Sequence, residues 1–213
     1  MKRMTIFLGI SALAIILLSG CSTQKGPFLM ASIEYVSPEG LVAAKPKVVV
    51  GVSPFKDDRG KPVSVLGTKN GSSSSGENDL VVQGPVAELV TAKFKDALKA
   101  RGFAVKDVAA WDMTAEGIKA EGVDVLISGE IRSLWVESLS GVLDVFLKAD
   151  AQLKIFVADA AEKKMLRTLT VNSKLERHNV AFSFEYIQET LSDALSAAIN
   201  QVFDDEEVKK KLK

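Results

Sequence analysis

Strict alternation of apolar and polar residues over residues 143–157 constrains the fold more than any other feature of this sequence. Apolar side chains occupy every odd position of that stretch, and most of the even positions are polar. Side chains of a β-strand point alternately to the two faces of its sheet, so eight matches to a period of two predict a half-buried strand. Leu153 should therefore be buried, and Lys154 should point to the opposite face. The apolar positions are Leu143, Val145, Leu147, Ala149, Ala151, Leu153, Ile155 and Val157.

Two more long strands are predicted beside this one. Residues 123–136 form the first, and residues 165–175 continue the alternation, with Arg167 interrupting it. A turn over residues 159–163 should join the last two strands as a hairpin. Earlier in the chain, residues 47–55 are β-branched and apolar and predict a buried strand that Pro54 ends. Residues 103–108 predict another, short strand.

Two amphipathic helices accompany these strands. Pro85 is suited to the first position of a helix, and Gly102 is suited to the position after its end. Ser183 should cap a second helix, because its hydroxyl can accept a hydrogen bond from the first turn. Each helix carries one apolar stripe, formed by Val86, Leu89, Val90, Phe94, Ala97 and Leu98 in the first and by Phe184, Ile187, Leu191, Ala194, Leu195, Ala198 and Val202 in the second.

The remaining segments predict little regular structure. The region that follows the predicted strand at 47–55 should be irregular up to Gly84. It includes a mobile, Gly- and Ser-rich loop at 67–79 with the Ser72–Ser75 run. Residues 113–120 suggest a weak helix. The charged tail 204–213 should fray, and its lysines could either touch anionic lipid or remain solvated.

The order of these elements predicts an α+β fold. A strand, a helix and a strand are followed by a three-strand meander and a final helix. We expect a mixed, mainly antiparallel sheet with the two main helices packed on one face. The first two strands can be parallel, because the helix between them supplies the crossover. Residues 47–203 would form this single domain.

The first 20 residues indicate a secretory signal peptide. Lys2 and Arg3 precede a run of 13 uncharged residues, and the small residues Ser19 and Gly20 follow. This run is too short for a membrane-spanning helix, which needs about 20 apolar residues. Residues 21–46 would form a tether containing several prolines and glycines, with a possible short strand over 33–36.

The four residues LSGC at 18–21 resemble the lipobox of bacterial lipoproteins. The resemblance implies diacylglycerol transfer to the Cys21 thiol, cleavage before Cys21 and acylation of the new amine. Ser22 then stands at the sorting position, where the absence of Asp favours the outer membrane. The alternative is an ordinary secretory signal with a chance cysteine after its cleavage site.

Short motifs in the mature chain resemble the YajG-like bacterial lipoproteins. They are IEYVSP at 33–38, VGVSPFKDDR at 50–59, LKARGFAV at 98–105 and IRSLWV at 131–136. A looser likeness connects VDVLISG at 123–129 to periplasmic domains of the LpoB, CsgG and TolB amino-terminal type. No equivalent of the membrane-inserting hairpins of CsgG-type pore formers is evident. The resemblance implies an envelope lipoprotein and no particular reaction.

Composition and motifs offer little for catalysis or cofactors. Equal numbers of basic and acidic residues give no reason to expect nucleic-acid binding, and one cysteine and one histidine leave little for disulfides or zinc. Sequences typical of nucleotide-binding loops and of nucleophile elbows are absent. We therefore expect no cofactor, no metal and no catalytic residue.

The polar cluster of Asp57, Asp58 and Arg59 has two interpretations. The carboxylates could bind a cation or act as acid and base, with Glu77 and Asp79 completing an oxygen-ligand site. In the second interpretation, which we favour, Arg59 neutralises an acidic neighbour in a turn.

The sole histidine and three aromatic residues are the other candidates. His178 is expected at the surface of a strand end rather than as a general base with Glu176 or Glu185. The aromatic residues could anchor a partner; for Trp135 we favour packing on the sheet. They are Trp111, Trp135 and Tyr186.

Three functions remain open. The first is a non-catalytic outer-membrane lipoprotein that faces the periplasm, is held in the membrane by its lipid and binds another envelope protein. The second is a small-molecule or lipid carrier with an apolar cleft between the sheet and the helices. The third, a hydrolase using Asp57 or Asp58, is the least favoured.

Overall fold

The computed structural model describes residues 29–44, 46–70, 78–119, 122–140 and 144–213. Nine strands and three helices lie in this part of the chain, and the strands form one sheet. The strands are β1 (Leu29–Met30), β2 (Val49–Val52), β3 (Lys56–Asp57), β4 (Val65–Asn70), β5 (Asn78–Val81), β6 (Ala104–Asp107), β7 (Val125–Ser140), β8 (Val145–Asp159) and β9 (Lys164–Asn179). The helices are α1 (Val86–Ala100), α2 (Phe184–Val202) and α3 (Glu206–Lys211).

Strand β7 organises the sheet. One edge pairs along its whole length with β8, antiparallel, and β8 pairs in the same way with β9. The other edge takes β2, β3 and β4 in succession, all parallel to it. We call the end at which β7 finishes and β8 begins the upper end of the sheet. The opposite end, where β8 turns into β9, is the lower end.

The predicted α+β architecture is confirmed. The meander of β7, β8 and β9 is antiparallel, β2 and β6 are parallel across α1, and α1 and α2 cover one face. Leu153 is fully buried on that face, whereas Lys154 lies on the other, near the ring of Phe156. Phe94 fills the centre of the helix layer, with its ring 5.4 Å from that of Phe55 and 6.0 Å from that of Phe203.

The ends of the helices lie close to their predicted positions. Pro85 is the N-cap of α1 rather than its first residue, one position from the prediction, and Gly102 follows the end of α1 as predicted, with a φ of +89°, which only glycine adopts readily. The Ser183 hydroxyl accepts a hydrogen bond from the Tyr186 amide at the start of α2, at 3.3 Å.

The predicted loop at 67–79 is wrong at both of its ends. Residues 67–70 belong to β4 and residues 78–79 to β5, which pair as an antiparallel hairpin. Gly67, which suggested a loop, allows close approach of two strands, because a Cβ there would lie 2.1 Å from the Val136 carbonyl oxygen. The Ser72–Ser75 run lies outside the described residues, so its mobility stays a prediction.

Two further segments differ from their predictions. Residues 113–119 form turns rather than a helix, and this segment places Ile118 beside Trp111 in a second apolar cluster at the lower end of the sheet. The tail does not fray, because Asp205 caps α3 by accepting hydrogen bonds from the amides of Glu207 and Val208. Val208 and Leu212 are buried, and Lys211 bonds to Asp159. The tail therefore belongs to the domain.

Candidate functional site

Residues 31–36, the N-terminal strap, lie along helix α2. The structure places the short strand earlier, at β1, so the prediction of a strand at 33–36 is wrong although the segment does pack on the domain. Backbone amides of the strap donate to side chains of the helix. Ser32 donates to Gln188 at 2.5 Å, Glu34 to Ser192 at 3.1 Å and Val36 to Ser196 at 2.8 Å.

The spacing of these helix residues explains why the strap fits. Alternate residues of an extended chain lie about 6.7 Å apart, and helix residues four positions apart are separated by about 6 Å. Each second amide of the strap therefore meets a polar side chain one turn further along α2. The polar row continues to Asn200, whose side-chain oxygen accepts from the Tyr35 hydroxyl at 2.7 Å.

An ion pair also fixes the strap to the domain. Lys93 of α1 donates to Glu34 at 2.7 Å, and this hydrogen bond lowers the pKa of the Glu34 carboxyl below its ordinary value. On the inner side of the strap, Ile33 and Ala31 are buried in the core. Residues 31–36 lie within the predicted tether, so that prediction is wrong for this stretch, which is fixed to both helices.

The upper end of the sheet carries an apolar row on the face away from the helices. Leu139, Phe146 and His178 are directly paired neighbours on β7, β8 and β9, and we call them the upper row. The His178 ring lies 4.8 Å from that of Phe146. Leu139 is 42% exposed, and Val180, two residues beyond His178, is 86% exposed. This histidine is at a strand end, as the sequence predicted.

Charged residues dominate the two rows of the same face next to the upper row. Glu137, Lys148 and Glu176 form the next row of paired neighbours, so opposite charges face each other across the strands. The row after that contains Trp135, Asp150 and Lys174. Trp135 is half-buried with the Lys61 ammonium 4.5 Å from its ring, which agrees with packing on the sheet.

Asp57 and Arg59 form a buried ion pair in the turn between β3 and β4. The Arg59 guanidinium donates to both oxygens of Asp57 at 2.8 Å and to the carbonyl oxygens of Val65 and Leu134. These bonds lower the pKa of the Asp57 carboxyl, so it is ionised and engaged. The interpretation of a turn neutralised by Arg59 is confirmed.

The other acidic residues near this turn do not join Asp57. Asp58 pairs with Arg132, which also bonds to Glu130. Asp79 lies on β5, and Glu77 is outside the described residues. Within the described ranges, no group of three or more His, Cys, Asp or Glu side chains is arranged to hold a metal ion.

The two remaining aromatic candidates have structural contacts. Trp111 is buried in the second apolar cluster, and its indole N–H donates to the Thr114 carbonyl at 2.9 Å. Tyr186 lies half-buried on α2, with the Arg177 guanidinium 5.6 Å from its ring.

The space between sheet and helices does not contain the predicted apolar cleft. In the described part of the chain this space is filled by buried side chains such as Phe94, Leu153 and Leu191. An apolar cavity lies instead at the lower end, beside α3. Sequence reasoning missed it, because it is built by the two segments that were expected to be a tether and a frayed tail.

Comparison with known proteins establishes the fold only. No family model and no curated protein matches the chain. The crystal structure of protein XCC0632 from Xanthomonas campestris, of the DUF330 family, superimposes with a TM-score of 0.51 at 10% identity, covering 83% of this chain and 92% of that one.

Two further solved structures superimpose with lower TM-scores. Lipoprotein GNA1162 from Neisseria meningitidis gives a TM-score of 0.37 at 14% identity, over 74% of this chain and 99% of that one. A minor lipoprotein from Acinetobacter baumannii gives 0.38 at 9% identity, over 75% and 94%. The neighbours thus include bacterial lipoproteins, and the YajG-like resemblance in particular is not confirmed.

The structure does not test the residues implied in lipid anchoring. Cys21 and Ser22 lie outside the described residues, so the lipobox and the sorting position stay predictions from the sequence. Among the described helices, none is long and apolar enough to span a membrane.

Proposed function

We propose that this chain is a lipid-anchored, non-catalytic lipoprotein of the outer membrane that docks an envelope protein through the upper end of its sheet. The observation that carries the docking proposal is the upper row. Leu139 of the upper row and Val180, two residues beyond His178, expose apolar side chains next to rows of paired residues that carry opposite charges. Apolar residues grouped on a solvated face are typical of interaction sites.

The anchoring proposal depends on Cys21 and its context in the sequence. Leu18, Ser19 and Gly20 precede the only cysteine of the chain, and Ser22 follows it. A thioether-linked diacylglycerol and an amide-linked acyl chain would give stable attachment, since anchoring needs more than one chain. The orientation toward the periplasm and the choice of the outer membrane belong to the same proposal.

The position of strand β1 supports a partner close to the membrane. Strand β1 begins at Leu29, which pairs with Leu80 of β5. Strand β5 itself begins at Asn78, two residues before Leu80, at the upper end of the sheet. Cys21 is eight residues before Leu29, and eight residues span at most about 28 Å. The upper end is therefore the part of the domain that the anchor would hold nearest to the lipid.

Charge favours a protein over the lipid surface itself as the occupant of the upper row. An anionic membrane surface attracts clustered lysines and arginines. The row next to the upper row instead carries two glutamates on either side of one lysine, Glu137, Lys148 and Glu176. We therefore propose a membrane-bound envelope protein with an apolar docking surface.

Photo-crosslinking from two matched positions tests this proposal. Val180 and Val42 are 86% and 85% exposed, and they lie at opposite ends of the domain. A photoreactive amino acid at each position, in the full chain in intact cells, should give a discrete protein adduct from Val180 and none from Val42. Mass spectrometry would identify the captured protein, and the reciprocal crosslink from that protein should return to the upper row.

A second substitution shows whether the upper row is responsible. Leu139→Glu should abolish the Val180 adduct, whereas Val63→Glu, at another exposed valine, should leave it unchanged. Adducts to phospholipid alone, equal adducts from Val42, or an adduct that survives Leu139→Glu would contradict the proposal.

A further inference from the structure

A cavity of about 380 Å³ opens at the lower end of the domain, remote from the upper row. Its walls come from residues 41–44 and 46, the residues that follow α1 and α2, and the segment that contains α3. Ten residues line it: Leu41, Val42, Ala44, Pro46, Arg101, Phe103, Phe203, Lys209, Leu212 and Lys213.

Both outer walls are fixed to the domain. The Ala44 amide donates to the Arg101 carbonyl at 3.0 Å, and a Cβ at Gly102 would lie 2.0 Å from the Ala44 oxygen, so the two backbones touch. On the other side, buried Val208 and Leu212 hold the C-terminal segment. The cavity is thus built by packed segments.

The lining is apolar with a positive rim. Seven of the ten lining residues are apolar and the other three are basic, so no acidic side chain lines the cavity among the described residues. The Arg101 guanidinium lies 3.8 Å from the centre of the Phe203 ring. It is held by the Tyr35 hydroxyl at 2.7 Å, the Ala97 carbonyl at 2.9 Å and the Asn200 side chain at 2.8 Å.

Within the described part of the chain, Arg101 has no acidic partner at the cavity. The three partners of Arg101 are neutral, and they use three of the five N–H donors of its guanidinium. Lys209 pairs with Glu206, which is exposed and does not line the cavity. A ligand that brings an anionic group would therefore meet cations that the protein already holds in place.

We infer that the cavity binds an amphiphile with one hydrocarbon chain and an anionic head group. The apolar walls would bury the chain, and Arg101 and Lys209 would attract the head. The volume lies within the range of small-molecule sites, roughly 300–1,000 Å³. This site is separate from the upper row, so its occupation does not depend on the docking function proposed above.

Calorimetric titration with dodecanoate tests the inference. Every described strand and helix lies after residue 28, so the mature chain from residue 21, carrying Cys21→Ser, keeps the whole fold and needs no detergent. Circular dichroism and a thermal melt would verify folding. Dodecanoate, below its micelle concentration, should bind at one site, whereas dodecyltrimethylammonium, with the same tail and the opposite charge, should bind at least about tenfold more weakly.

Matched variants locate the site. Lys209→Glu should weaken dodecanoate binding at least about fivefold, whereas Lys210→Glu, the same change at a neighbour outside the cavity, should have less than about a twofold effect. Val42→Ser should weaken binding, and Val180→Ser should not. No binding of dodecanoate, equal binding of the cationic amphiphile, or equal effects of the paired variants would overturn the inference.

Discussion

Arg59 connects three parts of the structure with a single side chain. Its guanidinium is 2% exposed and bonds to Asp57, to the turn before β4 and to the Leu134 carbonyl on β7. A buried guanidinium needs a carboxylate partner, because an uncompensated charge in a low-dielectric interior is costly. Asp57 supplies that partner, and the pair fixes the point at which the chain leaves β3.

The Asp57–Arg59 pair predicts a pH-dependent stability. Hydrogen bonds from Arg59 lower the pKa of Asp57 in the folded protein, so its contribution is complete above the ordinary carboxyl pKa and is lost as the pH falls through the lowered value. Asp57→Asn should reduce the free energy of unfolding by about 2–4 kcal/mol at neutral pH. The difference from wild type should shrink below about pH 4. Urea titrations of both proteins across this range would measure it, and a difference unchanged in acid would contradict the account.

The sequence could predict only the local half of this cluster. Asp57 and Arg59 are two residues apart, so their pairing in a turn was a reasonable expectation. The carbonyl oxygens of Val65 and Leu134 come from strands that meet only when the sheet forms. For the same reason the contact between Arg101 and Asn200, 99 positions apart, had no signal in the local pattern.

Strand β8 shows how far a simple periodicity determines an element. Its odd positions from Val145 to Val157 are buried beneath the helices, and most of its even positions are partly exposed on the outer face. This pattern was predictable because one residue type alternates with another over 15 positions, and a register shifted by one residue would expose the whole apolar set. The pairing of β8 with β7 and β9 then follows from short connections.

Substitutions at two adjacent positions test the register of β8. Leu153→Ala should lower the free energy of unfolding by about 2–5 kcal/mol, because it removes buried methyl groups and leaves a cavity. Lys154→Ala should change it by less than about 0.5 kcal/mol. Chemical denaturation of the mature chain would measure both effects. A larger loss for Lys154→Ala would show that the buried face is wrongly assigned.

The packing of helix α3 on the domain can be tested in a comparable way. Val208 is fully buried, whereas Lys210 of the same helix is exposed. Val208→Ala should cost about 1–3 kcal/mol of unfolding free energy, and Lys210→Ala should be nearly neutral. Equal denaturation midpoints for Val208→Ala and wild type would mean that the segment does not pack on the domain.

The short elements were missed for physical reasons. Val208 and Leu212 are only two apolar residues among charges, too few to distinguish a docked helix from a frayed tail. For β4 and β5, the Gly- and Ser-rich sequence between the two strands suggested a loop that extended into both of them. The strap was partly predictable from the apolar residues Ile33, Tyr35 and Val36. Its partner on α2 is recognised only once an extended chain lies on the helix, and it is the row of Gln188, Ser192, Ser196 and Asn200.

The domain as a whole is arranged between two different ends. The upper end holds the start of β1 and the upper row, and the lower end holds the cavity beside α3. With the chain anchored through residues before Leu29, the upper end would be near the membrane and the cavity would face the periplasm. Docking and amphiphile binding would then take place at opposite ends of one sheet.

The identity of the N-terminus of the mature protein tests the central claim most directly. Mass spectrometry of the protein extracted from membranes should find a mature chain that starts at Cys21, with a diacylglycerol on its sulfur and an acyl group on its amine. Cys21→Ala should remain at precursor length and incorporate no labelled fatty acid, because the nucleophilic thiol is absent. A mature wild-type chain that begins at another residue, or an unmodified Cys21, would contradict lipid anchoring and the orientation derived from it.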